Sequence, residues 1–355
     1  MIRNRLSHCW LLAGLLLAAA AGCIPSVPNA SNARTLTVMT HDSFAISEAV
    51  VAQFESQQNV QLVFLQSGDT GAALNRAILT KTNPQADLFF GVDNTFLSRA
   101  LEEDIFEPYL SPGLADVADE FILDQEGRVT PVDFGDVCIN YDKAYFEENK
   151  LGLPNSLADL TKPGYRDLLV VQNPATSSPG LAFLLATVAA FGPDHYLDYW
   201  KDLRNNGLVV VNDWETAYYT NFSASSGGGA QPMAVSYASS PAAEVVFAET
   251  ELADAPTGVL IGPGMCFRQV EFVGILKGTP NRDLAEKWID FMLSPTFQED
   301  IPLQMFVYPV NKLAKLPEVF DRFGAVPDAP ARLAPEVIAT NRDAWIEAWT
   351  EVVLR

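Results

Sequence analysis

From residue 35 onward, apolar residues fall in short blocks separated by amphipathic stretches of roughly ten to fifteen residues. Leu36–Thr40, Val60–Leu65 and Ala86–Val92 read as strands, with helices expected over Ile46–Gln57, over Gly71–Lys81 and from about Thr95. Strands alternating with helices of this length predict βαβ units and a largely parallel sheet. The same alternation resumes later. Leu168–Gln172, Leu208–Val211, Met233–Tyr237 and Val259–Ile261 read as strands, and Gly180–Phe191, Pro193–Asn205, Glu215–Phe222 and Pro241–Glu249 as helices. Further helices are expected near Asp283–Leu293 and Pro335–Leu354. Two extended passages separate the two α/β lobes: Val129–Asp142, and Phe267–Leu276 with apolar Phe267, Val270, Phe272, Val273 and Ile275. Two lobes joined by such crossings form a hinge. Lobe 1 is placed at 35–134 and 267–355, and lobe 2 at 135–266.

The first 22 residues have a different pattern. Met1–Trp10 carries Arg3 and Arg5 and no acid, and Leu11–Ala21 is an unbroken run of Leu, Ala and Gly. A positive segment followed by a short apolar one is the pattern of a secretory leader, and the run is too short to span a bilayer comfortably. It ends Ala20-Ala21-Gly22-Cys23, which resembles the lipobox of bacterial lipoproteins, although the usual Leu is replaced by Ala20. That resemblance implies acylation of Cys23 and a membrane anchor. The alternative is an ordinary leader cleaved near Ala21. Residues 23–34, with Pro25 and Pro28 among Ser and Asn, read as a tether. The expected location is extracytoplasmic, lipid-anchored to the membrane.

Composition narrows the possibilities. The chain has 355 residues, of which 48% are hydrophobic and 19% charged, so it has material for a large core and does not read as disordered. The net charge is −21, which argues against a nucleic-acid partner, because phosphate neutralisation needs a basic face. An acidic surface keeps a protein soluble and also attracts cations. A monomer is expected.

Cysteine usage adds a constraint. With the leader removed and Cys23 acylated, two thiols are left, Cys138 in the first crossing and Cys266 at the start of the second. In an oxidising compartment they are expected to pair, clipping the hinge strands together. The bond would close a loop of about 128 residues, worth on the order of 4–5 kcal/mol in the loop-entropy account. Two buried free thiols are the alternative. No metal site is expected from these cysteines, which lack C-x-x-C or His-rich spacing.

Small polar residues follow the strands. They are Thr40-His41-Asp42-Ser43, Ser67-Gly68-Asp69-Thr70-Gly71 and Gly91-Val92-Asp93-Asn94 in lobe 1. In lobe 2 they are Ala175-Thr176-Ser177-Ser178-Pro179, Asp213-Trp214-Glu215 and Ser236-Tyr237-Ala238-Ser239-Ser240-Pro241. Singly, most read as helix caps, with Ser178-Pro179 and Ser240-Pro241 as N-cap then first helical residue. Together they place several helix N-termini, with free N–H groups, at one end of two sheets, where ligands of such folds sit. Among them, Trp214 and Tyr237 fall at strand ends rather than inside periodic runs, and Tyr218, Tyr219, Phe306 and Tyr308 are nearby or later aromatics. Catalytic motifs such as G-x-S-x-G, H-E-x-x-H or a P-loop do not occur, and Gly227-Gly228-Gly229 reads as a flexible loop. Asp42 and Glu215 are an acid–base pair in an alternative enzymatic reading, but carboxylates facing a cation explain them as well.

At these residues the chain resembles the thiamine-binding subunit of bacterial ABC thiamine transporters, over nearly the whole mature chain. The carrying motifs are Thr40-His41-Asp42-Ser43-Phe44, Asp87-Leu88-Phe89-Phe90-Gly91-Val92-Asp93-Asn94 and Thr176-Ser177-Ser178-Pro179-Gly180-Leu181. They continue with Asp213-Trp214-Glu215-Thr216-Ala217-Tyr218, Ser236-Tyr237-Ala238-Ser239-Ser240-Pro241-Ala242, Gln269-Val270-Glu271, Phe291-Met292-Leu293-Ser294-Pro295 and Tyr308-Pro309-Val310. The resemblance implies a type II periplasmic-binding-protein fold with the ligand in a cleft between lobes, a binding rather than catalytic role, and an ABC permease as partner. It implies that Trp214 and Tyr237 sandwich the rings of thiamine or a thiamine phosphate. Asp69, Thr70, Ser177, Ser178, Ser239 and Ser240 then line the polar part, and His41, Asp42, Asp93, Tyr218 and Phe306 complete the expected site. His41 stands where relatives often carry Tyr, and Phe306 where some carry Trp. The rival within binding proteins is a ferric-ion binder, for which Tyr218-Tyr219 would supply the phenolates, or a polyamine binder.

Overall fold

The computed structural model describes residues 33–224 and 228–355. The leader, Cys23, the tether as far as residue 32, and Ser225, Ser226 and Gly227 of the expected glycine loop lie outside the described residues.

β1 (Arg34–Thr40), α1 (Glu48–Gln58), β2 (Val60–Gln66), α2 (Thr70–Leu79), β3 (Leu88–Asp93) and α3 (Leu97–Glu102) open the fold. A short β4 (Phe106–Glu107) precedes the long β5 (Thr130–Asp142) and α4 (Lys143–Glu148). Then come β6 (Leu169–Gln172), α5 (Ser178–Phe191), α6 (Tyr196–Asn205), β7 (Val209–Val211), a π-helical turn Thr216–Asn221, β8 (Met233–Tyr237), α7 (Ser240–Val246) and β9 (Thr257–Leu260). β10 (Phe267–Leu276) is followed by α8 (Arg282–Met292), α9 (Pro295–Gln298), α10 (Ile301–Gln304), β11 (Tyr308–Pro309), α11 (Glu318–Phe323) and α12 (Pro335–Val353).

Eight of the strands run in the order β2-β1-β3-β10-β5-β8-β6-β7, with β4, β9 and β11 pairing off this path. β2, β1 and β3 are mutually parallel, as are β8, β6 and β7. β5 and β10 are antiparallel to each other and to these flanking groups. The expected parallel sheet is therefore present as two parallel groups, one per lobe, on either side of an antiparallel central pair. The pair is antiparallel because the chain leaves lobe 1 along β5 and comes back along β10. β5 bonds to β10 through Thr130–Val137 and to β8 through Val137–Tyr141, so one strand belongs to both lobes. α5 is buried from Ser178 to Val188, which accounts for its uniformly apolar sequence. α12 packs Trp349 edge-on against Trp200 of α6 at 5.5 Å, while its Arg342 donates to Ser98 of α3 at 3.0 Å.

The expected caps shift by one residue. α5 and α7 begin at Ser178 and Ser240, with Pro179 and Pro241 at their second positions, and neither Ser177 nor Ser239 makes a side-chain cap bond. A proline fits there because the second N–H of a helix has no intrahelical partner to lose. Asp69 does cap α2, accepting the Thr70 N–H at 2.7 Å.

Cys138 of β5 and Cys266, just before β10, form a disulfide with Cα atoms 4.3 Å apart. It ties β5, just past its pairing with β10, to the residue that precedes β10. Alkylation without reductant should therefore leave both residues unlabelled. Replacing both with Ala should lower the melting temperature by roughly 5–15 °C, the loop-entropy contribution of about 4–5 kcal/mol. Two freely alkylated thiols in the unreduced protein would contradict the pairing.

Candidate functional site

The ends of β1 and β8, the N-termini of α2, α5 and α7, and β10 converge on a cavity of about 280 Å³. Lobe 1 and the returning segment contribute His41, Asp42, Asp69, Thr70, Glu271 and Phe306. Lobe 2 contributes Ser178, Trp214, Glu215, Tyr218, Tyr237 and Ser240. The cavity is near the lower end of the range for small-molecule sites.

Each aromatic wall has a local cause. His41 packs directly over Gly91, whose φ is +103°, and a Cβ at that position would run into the imidazole. Gly135 of β5 likewise leaves room for the Tyr237 ring, whose hydroxyl donates to Gln269 Oε1 at 3.0 Å. Trp214 stacks on Tyr218 with centroids 5.2 Å apart and 13° between planes, and it donates through Nε1 to Ser236 Oγ at 2.9 Å. Tyr218 thus backs Trp214, and its hydroxyl donates to Glu244 at 2.7 Å. Phe306 adopts φ +55°, a left-handed conformation unfavourable for a bulky residue, and its carbonyl accepts from Ser239 Oγ. Local strain of this kind persists only where surrounding contacts enforce it.

The lobes touch across the cavity. Trp214 N–H donates to Asp69 Oδ2 at 3.1 Å, and Ser178 Oγ donates to Thr70 Oγ1 at 3.3 Å. The N–H groups of Gly71 and Ala72, at the start of α2, donate to Thr176 O at 2.9 and 3.3 Å. N–H groups at the start of α2 that the sequence leaves free for a ligand are here bound to the opposite lobe. Asp69 is a clasp between lobes as well as a lining residue. Burial raises its pKa, opposed by the Ser177 hydroxyl and by the Thr70 and Trp214 N–H groups.

Three expected site residues stand behind the lining. Asp93 is fully buried and accepts from Thr95 Oγ1 at 2.7 Å and from Gln269. Ser177 is buried beside Asp69 without an aligned hydrogen bond, and Ser239 is spent on Phe306. Asp93 ends β3, and Ser177 and Ser239 follow β6 and β8, but all three are buried behind the lining, which sequence position does not disclose. Glu271 lines the cavity; it stands in the Gln269-Val270-Glu271 motif but was not among the expected site residues, although a carboxylate inside the apolar stretch Phe267–Leu276 was a signal.

Among the described residues, the lining holds four carboxylates, Asp42, Asp69, Glu215 and Glu271, with one imidazole and no Lys or Arg. His41 Nε2 lies 3.3 Å from Glu271 Oε1, near enough for charge attraction but not aligned as a hydrogen bond. Burial lowers the His41 pKa, but Glu271, with Asp69 and Asp42, more than reverses this and raises it overall. Burial raises that of Glu215, aided by Asp42, Asp213 and Asp69. Trp214 and Tyr237, expected to sandwich a ring, stand 6.4 Å apart with 62° between their planes, so the cavity has an aromatic corner rather than a parallel slot, with an acidic rim and floor.

Residues 83–323 match the family model described as bacterial extracellular solute-binding protein. The chain is 30% identical to the thiamine-binding periplasmic protein of Salmonella typhimurium, covering 90% of this chain and 94% of that one. It is also 30% identical to the thiamine-binding periplasmic protein of Brucella suis, over 97% of this chain and 99% of that one. A solved periplasmic thiamin binding protein superposes with a TM-score of 0.80 at 28% identity, covering 91% of this chain and 97% of that one.

Asp93 ties the site to pH. Burial pushes its carboxyl up to about 7, with Glu271 adding to the rise against its Thr95, Gln269 and Phe96 donors. Between the ordinary carboxylate value and about 7 the folded chain holds a proton that the unfolded chain has lost, so stability falls as pH rises through that window. The raised His41 acts with the same sign at higher pH. Urea unfolding at pH 4, 5.5 and 7.5 should show this decline, and Asp93→Asn should remove on the order of a few kcal/mol of it. An unchanged slope in the variant would place the protons elsewhere.

Proposed function

The chain belongs to the bacterial extracellular solute-binding protein family, and from that premise we propose that it captures thiamine outside the cytoplasm and delivers it to an ABC permease. The observation that carries this is Trp214, backed by Tyr218, set beside four lining carboxylates. The thiazolium ring is flat and permanently cationic, so an aromatic face attracts it by about 0.5–2 kcal/mol and the carboxylates add to the attraction. Thiamine-binding relatives at 30% identity over most of both chains support the same ligand.

The ferric alternative fits less well. Tyr218 is committed to Glu244 and stacked under Trp214, while Tyr219 is 45% exposed. Burial raises the pKa of both phenols, which opposes the phenolate forms iron would take. A linear polyamine would use the carboxylates but has no ring to lay on the Trp214 face. Asp42 accepts the Gly68 N–H at 2.8 Å and so helps hold the turn before α2, a structural use that needs no catalysis. The anchor at Cys23 and a monomeric state complete the proposal. Among the described residues, no helix is long and apolar enough to cross a membrane.

Calorimetry should show thiamine binding with quenching or a shift of Trp fluorescence. Trp214→Ala should weaken it by about 1–3 kcal/mol, because stacking and cation–π terms are lost together. Binding of ferric citrate or spermidine with no heat from thiamine would sink the assignment. Cys23→Ser should release the folded protein from the membrane fraction. Retention there would refute the lipid anchor.

A further inference from the structure

Glu271 occupies the centre of a row. In the register of β3, β10 and β5 it pairs with Asp93 on one side and Asp133 on the other. Residues directly opposite share a sheet face, so three carboxyl groups stand side by side in the buried middle of the molecule. The pairing register shifts just after Glu271 on the β5 side and one residue later on the β3 side. Bulges of this kind re-aim side chains next to binding sites.

The three acids are not equivalent. Asp93 is satisfied by Thr95, Phe96 and Gln269, and Gln269 is itself oriented by the Tyr237 hydroxyl. Asp133 is fully buried, and neither of its oxygens has a hydrogen-bond donor among the described residues. A charged carboxylate without donors is too costly to bury, and its neighbour Glu271 is another acid. Asp133 therefore keeps its proton, and burial together with Glu271 holds its pKa well above the ordinary value. The acceptor next to that proton is Glu271, whose own carboxyl reaches the cavity with Oε1 against His41. Because the His41 contact is not an aligned hydrogen bond, Oε1 is the oxygen open to a ligand donor.

We propose that Glu271 reads a donor group on the ligand, the exocyclic amino group of the aminopyrimidine, and that Asp133 is a positioning residue whose O–H holds Glu271 as an acceptor. This rests on the thiamine assignment and adds to it the residue that selects an amino-bearing heterocycle. A carboxylate accepts from an amino group, whereas an oxo group in its place sets lone pairs against lone pairs. A site built to bond a donor rejects the analogue without it more strongly than an apolar pocket rejects a misfit.

The test is calorimetry with thiamine and with the analogue carrying an oxo group in place of the 4-amino group. The wild-type protein should bind the oxo analogue roughly tenfold to a hundredfold more weakly. Glu271→Gln should weaken thiamine and shrink that preference to within about threefold, because an amide can turn its N–H toward an oxo group. Asp133→Asn keeps a donor beside Glu271 and should retain the preference, while Asp133→Val should lose it. Equal binding of both compounds by the wild type, or an unchanged preference in Glu271→Gln, overturns the proposal while leaving the thiamine assignment standing. Loss of the preference in Asp133→Asn overturns the role of Asp133. Failure of the folded wild type to bind either compound overturns the thiamine assignment itself. Circular dichroism of each variant separates misfolding from lost recognition, and Glu271→Gln decides the matter if Asp133→Val does not fold.

Discussion

β5 and β10 hydrogen-bond to each other between Thr130–Val137 and Phe267–Val273, and every other part of the molecule is referred to that pairing. It fuses two parallel strand groups into one sheet. It brings Cys138 beside Cys266, and it sets Asp133 opposite Glu271. The pair runs unbroken beneath the cavity, with β5 continuing from its pairing with β10 to its pairing with β8, so the floor is shared by both lobes. The walls, by contrast, come from loops and helix starts on either side. Floor and walls therefore belong to different mechanical parts.

That division explains where charge is tolerated. The floor is buried strand, where an acid must be donated to, protonated or paired. Asp136, three residues from Asp133 on the same strand, is paired with Arg268 at 2.9 Å. Asp93 receives several donors, and Asp133 receives none. Such unequal treatment on neighbouring strands is costly for the fold, and it is concentrated beneath the cavity. The walls carry Asp42 and Glu215 nearer to solvent, where the cost is smaller.

The alternation of apolar blocks was legible because strands and helices of ordinary length follow period-2 and period-3.6 rules, and each main element lies within a few residues of its expected place. The crossing strands were legible too, as extended apolar passages whose Pro131 and Gly135 do not combine into a turn. The direction of side chains at strand ends was not. Asp69, Asp93 and Asn94 occupy comparable positions after or at the ends of strands, but Asp69 faces the cavity while Asp93 faces inward, and Asn94 bonds to Val270 and Arg268 of β10. A one-residue difference in where a strand ends reverses the side chain, and no local pattern records it. Nor did the caps at Ser177 and Ser239 declare that proline would sit one place further in. Glu271 was visible as part of the Gln269-Val270-Glu271 motif, but its place in the cavity depended on neighbours far away in sequence.

Gly91 limits how this cavity can diverge over evolutionary time. Its left-handed backbone and the imidazole lying against it leave no space for a side chain, so a lineage that keeps a ring at position 41 must also keep glycine at 91. Drift at 91 is blocked until 41 shrinks, and a smaller residue at 41 opens a hole in the wall. New ligand preferences are therefore accessible by exchanging one ring for another at 41, a single-step path, whereas reshaping that corner of the cavity needs two changes at once.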